Sequence, residues 1–149
     1  MSVARNRIEI MHGVNLDQLG RRDPGHYGSL DLRSLELKIG EFAASLGLVT
    51  RCFNTNHEGE FVEHLHRLDG LADGIVINPG AWTHYSYAIR DALEVAALPA
   101  VEVHLSDVDA REQWRRHSVI SDLCIARVSG RGADGYRDAL SRLREELVG

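Results

Sequence analysis

Glu102 and His104 stand two residues apart in the apolar run Ala100-Val101-Glu102-Val103-His104. Side chains alternate between the two faces of a strand, so this pair points the same way. A carboxylate beside an imidazole holds the ring and favours its charged form. His104 is therefore a candidate general acid, with Glu102 as its orienter. Taken alone, the same pair would serve equally well as a buried structural contact. A second pair lies far upstream, Arg22 and Tyr27 in the stretch LGRRDPGHYG from Leu19 to Gly28. A phenol is a poor base near neutral pH, but an adjacent guanidinium favours the phenolate. General acid–base chemistry needs one group to remove a proton and another to deliver one. Near them in the chain are Asn15, Asn78, His84, Arg111 and Arg115, a set rich in His and Arg that suits an anionic small molecule. Arg111 and Arg115, four residues apart, would share one face of a helix.

Other chemistries find no support. No Ser or Cys sits in a nucleophile-elbow pattern. No His, Cys, Asp or Glu cluster has the spacing of a metal site. His64 and His66 are two apart on a predicted helix, point to different sides, and are expected on the surface. Schiff-base chemistry needs a lysine. The one lysine, Lys38, lies mid-helix between Leu37 and Ile39, which excludes covalent imine catalysis. Gly130–Gly135 (GRGADG) matches G-x-G-x-x-G but follows the last predicted strand and lacks the rest of a dinucleotide unit. It is expected to be a tight turn with close helix–sheet packing.

These groups need a frame. Gly74–Ile77 and Ala100–Val103 read as buried strands, and Ala81–Ala97 between them as a helix. The three form one βαβ unit, with Asn78 and His104 at the strands' carboxyl ends. Ligands of open parallel sheets bind in the crevice outside those ends. Upstream, Arg7–Met11 is a strand followed by the long, Gly-rich connection His12–Gly28. Connections of that length are generally functional, and its Arg pair and Tyr point to a lid over residues 17–28. Leu35, Ile39, Phe42 and Leu46 mark a helix over Asp31–Leu46, capped by Ser29 or Asp31 and ended by Gly47. Leu48–Phe53 is the second strand, and Phe61, Leu65 and Leu68 mark the next helix. Ser121–Val128 contains a fifth strand. Tyr136, Leu140, Leu143 and Leu147 mark the closing helix. Alternating strands and helices of this kind predict a flavodoxin-like, doubly wound parallel sheet in the order 2-1-3-4-5, as one domain over residues 1–149. That order sets the loop after the first strand beside Asn78.

Composition narrows the class. The chain has 149 residues, 44% of them hydrophobic, and a net charge of −5. It is long enough for a full core, and the acidic balance disfavours a nucleic-acid surface. No apolar run approaches the roughly 20 residues of a membrane span. The first residues, MSVARNR, lack the apolar core of a signal peptide, so a cytoplasmic protein without a membrane partner is expected. Cys52 and Cys124 are expected as reduced, buried thiols. Of 17 basic residues all but Lys38 are Arg, the side chain suited to bidentate carboxylate binding.

Taken together, G13-V-N-L16, L19-G-R-R-D-P-G-H-Y-G28, N56-H-E-G59, I77-N-P-G-A-W-T-H84, A88-I-R-D-A-L93, V101-E-V-H-L-S106, A110-R111, R115-R-H-S118 and G132-A-D-G-Y136 resemble the type II 3-dehydroquinate dehydratase family over nearly the whole chain. The resemblance implies a cofactor-free, metal-free lyase, a dodecamer built from trimers. It would remove water from 3-dehydroquinate by trans elimination through an enolate, giving 3-dehydroshikimate in the shikimate pathway or in quinate catabolism. By motif, Tyr27 resembles the base and Arg22 its activator. Asn15 resembles the holder of the water that stabilises the enolate, and Asn78 a substrate-binding residue of that centre. His104 resembles the general acid, oriented by Glu102. Leu105 (through its backbone) and Ser106 resemble the carboxylate-binding pair, and His84 and Arg115 further substrate contacts. Asp91 resembles an acid from a neighbouring subunit, and Arg111 the arginine that positions the lid. His12 and Val14 depart from the family's N-G-P-N-L, Asp107 stands in place of Asn, and Ser129 and Arg131 in place of Cys and Leu. Two other readings are a dehydratase acting on a modified (amino) dehydroquinate and a non-catalytic flavodoxin-like binding protein. The latter would not need base and acid together.

Overall fold

The computed structural model describes residues 5–148. Five strands, β1 (Arg7–His12), β2 (Val49–Asn54), β3 (Gly74–Asn78), β4 (Ala100–His104) and β5 (Ala126–Ser129), form one parallel sheet in the order β2-β1-β3-β4-β5. This is the expected topology. The helices are the short α1 (Pro24–Tyr27), then α2 (Leu32–Ser45), α3 (Glu58–His66), α4 (Tyr87–Ala96) and α5 (Asp134–Val148). Strand alternation sorts the apolar side chains into two cores. Ile8, Ile10, Val76, Val101 and Val103 face α2 and α5, packing on Leu35, Ile39, Tyr136 and Leu140. Met11, Ile75 and Ile77 face α3 and α4, packing on Phe61, Leu65, Ile89 and Leu93. Both faces of the central strands are covered, which is why β3 and β4 are buried along their whole lengths.

Asp31 caps α2, its carboxylate accepting from the Ser34 amide at 2.8 Å. The predicted helix over Ala81–Ala97 is instead two pieces. A 3-10 segment spans Gly80–His84, and α4 starts afresh at Tyr87. Ser86 makes the break by capping α4, its hydroxyl accepting from the Ile89 amide at 3.1 Å. The turn at Gly130 and Gly132 has positive φ (75° and 55°), and Gly135 packs against Val128 and Val103. Both are as expected of a structural turn.

His64 is not a surface residue. Its ring stacks on Phe53 at 3.7 Å, and its Nε2 lies 2.6 Å from Glu9, whose carboxylate is almost fully buried and also accepts from Arg51. The i, i+2 spacing shows that the two histidines diverge, and His66 is indeed exposed; it cannot show which one finds a buried carboxylate on β1. Cys52 and Cys124 are half-buried free thiols. Burial, and then the charges of Glu36 and Glu102 respectively, pushes each up to about 12.

One close approach joins the ends of β1 and β3. The Gly13 amide donates to the Asn78 carbonyl at 2.7 Å. A Cβ on Gly13 would lie 2.2 Å from the Pro79 carbonyl oxygen. Gly13→Ala is therefore expected to destabilise the fold by at least the roughly 1–3 kcal/mol of an overpacked core site. A shift in the urea midpoint would measure it, and an unchanged midpoint would show that the two loops part easily.

Candidate active site

The carboxyl ends of β1, β3 and β4 open into a cavity of about 120 Å³. Ten of the twelve site residues expected from sequence line it: Asn15, Arg22, Tyr27, Asn78, His84, His104, Leu105, Ser106, Arg111 and Arg115. Glu102 lies directly behind His104. Asp91 does not reach this pocket; it is exposed on α4.

His104 ends β4 and is 5% exposed. Its Nε2 meets Glu102 Oε2 at 2.5 Å, leaving Nδ1 as the nitrogen available to a ligand. Glu102 is fully buried and richly bonded. Its Oε2 also accepts from the Thr83 hydroxyl at 2.5 Å, and its Oε1 accepts from Ser118 at 2.9 Å and from Ser121 at 2.5 Å. Burial alone would raise this carboxyl. The His104 hydrogen bond and charge, with the Ser121 and Thr83 hydroxyls, overcome that and bring it down to about 2. Glu102 is thus ionised at any pH near neutral. Because the folded value is depressed, the stability it confers is present above the ordinary carboxyl range and is lost as pH falls toward 2. The difference between wild type and Glu102→Gln is expected to be on the order of a few kcal/mol near neutrality and to shrink between pH 4.5 and 2. Urea denaturation at stepped pH measures it. A pH-independent difference would show that the charge contributes nothing.

Thr83, Ser118 and Ser121 form a support that sequence reasoning did not identify. Thr83 and Ser118 sit inside motifs already singled out, but nothing in their spacing ties hydroxyls from two separate stretches, at Thr83 and at 118–121, to one carboxylate.

The base side comes from the segment after β1. Asp23 caps α1, accepting from the Gly25 amide at 2.9 Å, which sets Tyr27 at the helix end. Arg22 Nη2 donates to the Tyr27 phenol oxygen at 2.6 Å, and the Arg22 guanidinium lies 3.8 Å over the same ring. Arg111 Nη1 donates to that oxygen at 2.5 Å. Two cations therefore converge on one phenol, where sequence reasoning had placed only Arg22. Arg111 also reaches Ser106 at 3.4 Å.

Arg111 and Arg115 do not share a helix face. The stretch is two 3-10 turns, Val108–Ala110 and Gln113–Arg116, with Arg111 extended between them. Asp107 initiates the first turn by accepting from the Asp109 amide at 3.2 Å. That carboxylate is exposed and is not among the groups lining the cavity. Arg115 bonds Glu112 at 2.6 Å and stacks over Trp114.

His84 Nδ1 lies 2.7 Å from the His117 carbonyl. A carbonyl only accepts, so Nδ1 carries the proton and Nε2 is left as an acceptor in the neutral ring. Burial, then the neighbouring His104 and Arg115 charges, holds His84 below the ordinary histidine range. Asn78 anchors the centre: its Oδ1 accepts from the Gly80 amide at 3.1 Å and its Nδ2 donates to Tyr136 at 3.4 Å. Asn15 adopts the left-handed region (φ 67°), which an Asn tolerates. Asn56 holds it there by accepting from the Asn15 amide at 2.8 Å while donating to Asp17.

One arrangement had no signal in the spacing. His12 of β1, Glu36 of α2 and Cys52 of β2 bring potential metal donors within 4.8 Å of one another. The expectation of no such cluster rested on residues near in sequence, and these are neighbours only through the sheet.

The sequence model of the family described as Dehydroquinase class II matches residues 6–144. The chain is 47% identical over 131 residues to a 3-dehydroquinate dehydratase of Syntrophotalea carbinolica, covering 87% of this chain and 88% of that one. It is 48% identical over 139 residues to that of Thermotoga neapolitana, covering 93% and 94%. Among solved structures, the type II dehydroquinase from Butyrivibrio crossotus superposes with a TM-score of 0.89 at 40% identity, covering 93% of this chain and 97% of that one.

Proposed function

The chain belongs to the class II dehydroquinase family, and from that premise we propose that it is a hydro-lyase that removes water from 3-dehydroquinate to give 3-dehydroshikimate. The observation that carries the reading is a phenol bonded by two guanidinium groups in the same pocket as an imidazole seated on an ionised carboxylate. Tyr27, as phenolate, takes the proton alpha to the ketone. The C–H electron pair moves into the carbonyl, giving an enolate. Asn15 holds the water that stabilises the enolate oxygen, and Asn78 fixes the loop around it. As the enolate collapses, the C–O bond beta to the carbonyl breaks. His104 gives its proton to the departing hydroxyl, which leaves as water. Solvent then returns a proton to His104 and removes one from Tyr27.

Each remaining residue has a part in holding the substrate. The Leu105 backbone and Ser106 hydroxyl bind the substrate carboxylate. His84 accepts a substrate hydroxyl at Nε2, and Arg115 adds positive charge. Segment 17–28 acts as a lid that Arg111 latches through Tyr27. No step uses a metal or cofactor. Growth of absorbance from the conjugated enone, when purified protein meets 3-dehydroquinate, tests the activity; no growth with folded protein would overturn it.

The same reading makes the protein a cytoplasmic homo-oligomer, a dodecamer built from trimers. Asp91, exposed on α4, serves the pocket of a neighbouring copy. Sedimentation at micromolar concentration is expected to find an assembly, and a fully active monomer would contradict it. Among the described residues no helix is long and apolar enough to cross a membrane.

A further inference from the structure

On the α2 side of the sheet, behind the wall formed by Asn78, the fold collects three different donors. His12 closes β1 and is fully buried; its Nδ1 has no partner among the described residues, and its Nε2 meets only the Glu36 carboxylate, in poor hydrogen-bond geometry. An unsatisfied buried polar group is costly and rare in native proteins. Glu36 Oε2 lies 3.2 Å from His12 Nε2 but off the direction a hydrogen bond needs. Cys52 comes from the adjacent strand, where Ile10 is its partner in register, so its side chain shares the face of Ile10 and His12. One donor atom from each residue lies within 4.8 Å of the other two.

We propose that His12, Glu36 and Cys52 form a binding site for a divalent transition-metal ion of the zinc type, with a fourth position open to water. Imidazole, carboxylate and thiolate together suit zinc or cobalt. Magnesium and calcium take oxygen ligands. Ligand bonds of about 2 Å in a tetrahedron put neighbouring donors about 3.3 Å apart, close to the His12–Glu36 separation. Glu36 keeps 29% of its side chain exposed, which gives the ion and its water a way in. On binding, the Cys52 S–H bond breaks, a metal–sulfur bond forms, and the proton passes to solvent, so affinity rises with pH.

The site is structural. His12 pairs in register with Asn78, and its ring faces that of Tyr136 at 6.5 Å; Tyr136 in turn accepts the Asn78 amide. An ion there ties β1, α2 and β2 together beside the catalytic crevice without entering it, and the proposed reaction proceeds with or without it.

The test is a cobalt titration of the chelator-treated full chain, followed by absorption. One cobalt per chain is expected, with a thiolate-to-cobalt charge-transfer band and the intense d–d bands of a four-coordinate ion, all displaced by zinc. Cys52→Ser should lose the charge-transfer band, whereas Cys124→Ser, on the opposite face, should keep it. Glu36→Gln, at a partly exposed helix position that tolerates the change, and His12→Asn should each weaken binding by more than the ~10–100-fold that an outer-shell change costs. Zinc should raise the melting temperature of the wild type and not of His12→Asn. Absence of the charge-transfer band in wild type, its survival in Cys52→Ser, or its loss in Cys124→Ser would overturn the proposal.

Discussion

Tyr27→Phe is expected to lower turnover by about 10²–10⁴-fold, the usual contribution of a positioned general base, with little change in substrate affinity. The substitution removes one oxygen, the atom to which Arg22 and Arg111 donate at 2.6 and 2.5 Å. The ring that remains still lies under the Arg22 guanidinium, so the segment can keep its packing. If the phenolate takes the alpha proton, exchange of that proton with deuterated solvent should fall with turnover. NMR of the substrate in deuterated buffer measures it directly. Exchange at the wild-type rate would show that another group is the base and that this segment only covers the pocket. Arg22→Ala is expected to be milder, because Arg111 remains to favour the phenolate.

His104→Ala should separate the two halves of the reaction. Elimination should fall by about 10²–10⁴-fold while proton exchange continues, since the first step does not use the imidazole. The variant should also fold. Glu102 loses its ring partner but keeps the Thr83, Ser118 and Ser121 hydroxyls, so no bare carboxylate is left in the core. Equal loss of exchange and elimination would show that His104 acts before or during proton abstraction and would overturn the assignment of separate roles.

The architecture was legible in sequence because local patterns and topology rules agree. Short β-branched runs at 74–77 and 100–103, with helical patterns between the runs, fit covered parallel strands joined by right-handed crossovers, and the flavodoxin-like order is a common one for such a sheet. Asn78 and His104 could be placed at the crevice for the same reason. What sequence did not show came from contacts between distant segments and from side-chain competition with the backbone. The Ser86 hydroxyl capping α4 splits what periodicity joins into one helix. Asp107 starts a 3-10 turn and ends the expected pairing of Arg111 with Arg115. The three hydroxyls on Glu102, and the half-buried site of His64 on Glu9, depend on segments that meet only in the folded chain. Motif resemblance recovered the pocket's lining well because those residues sit at strand ends and in their loops, where position in the chain nearly dictates position in space.

The two native thiols offer a practical opportunity. Thiolates, not thiols, react with alkylating reagents, and Cys52 and Cys124 are both pushed up to about 12. Near neutral pH both native thiols are therefore expected to react slowly with maleimides, which mass spectrometry of the treated wild type would check. A cysteine introduced at exposed Arg21 would be the one fast-labelling position. A fluorophore there would ride on the segment carrying Arg22 and Tyr27, so any movement of that segment on adding substrate could be followed optically without deleting either native sulfur.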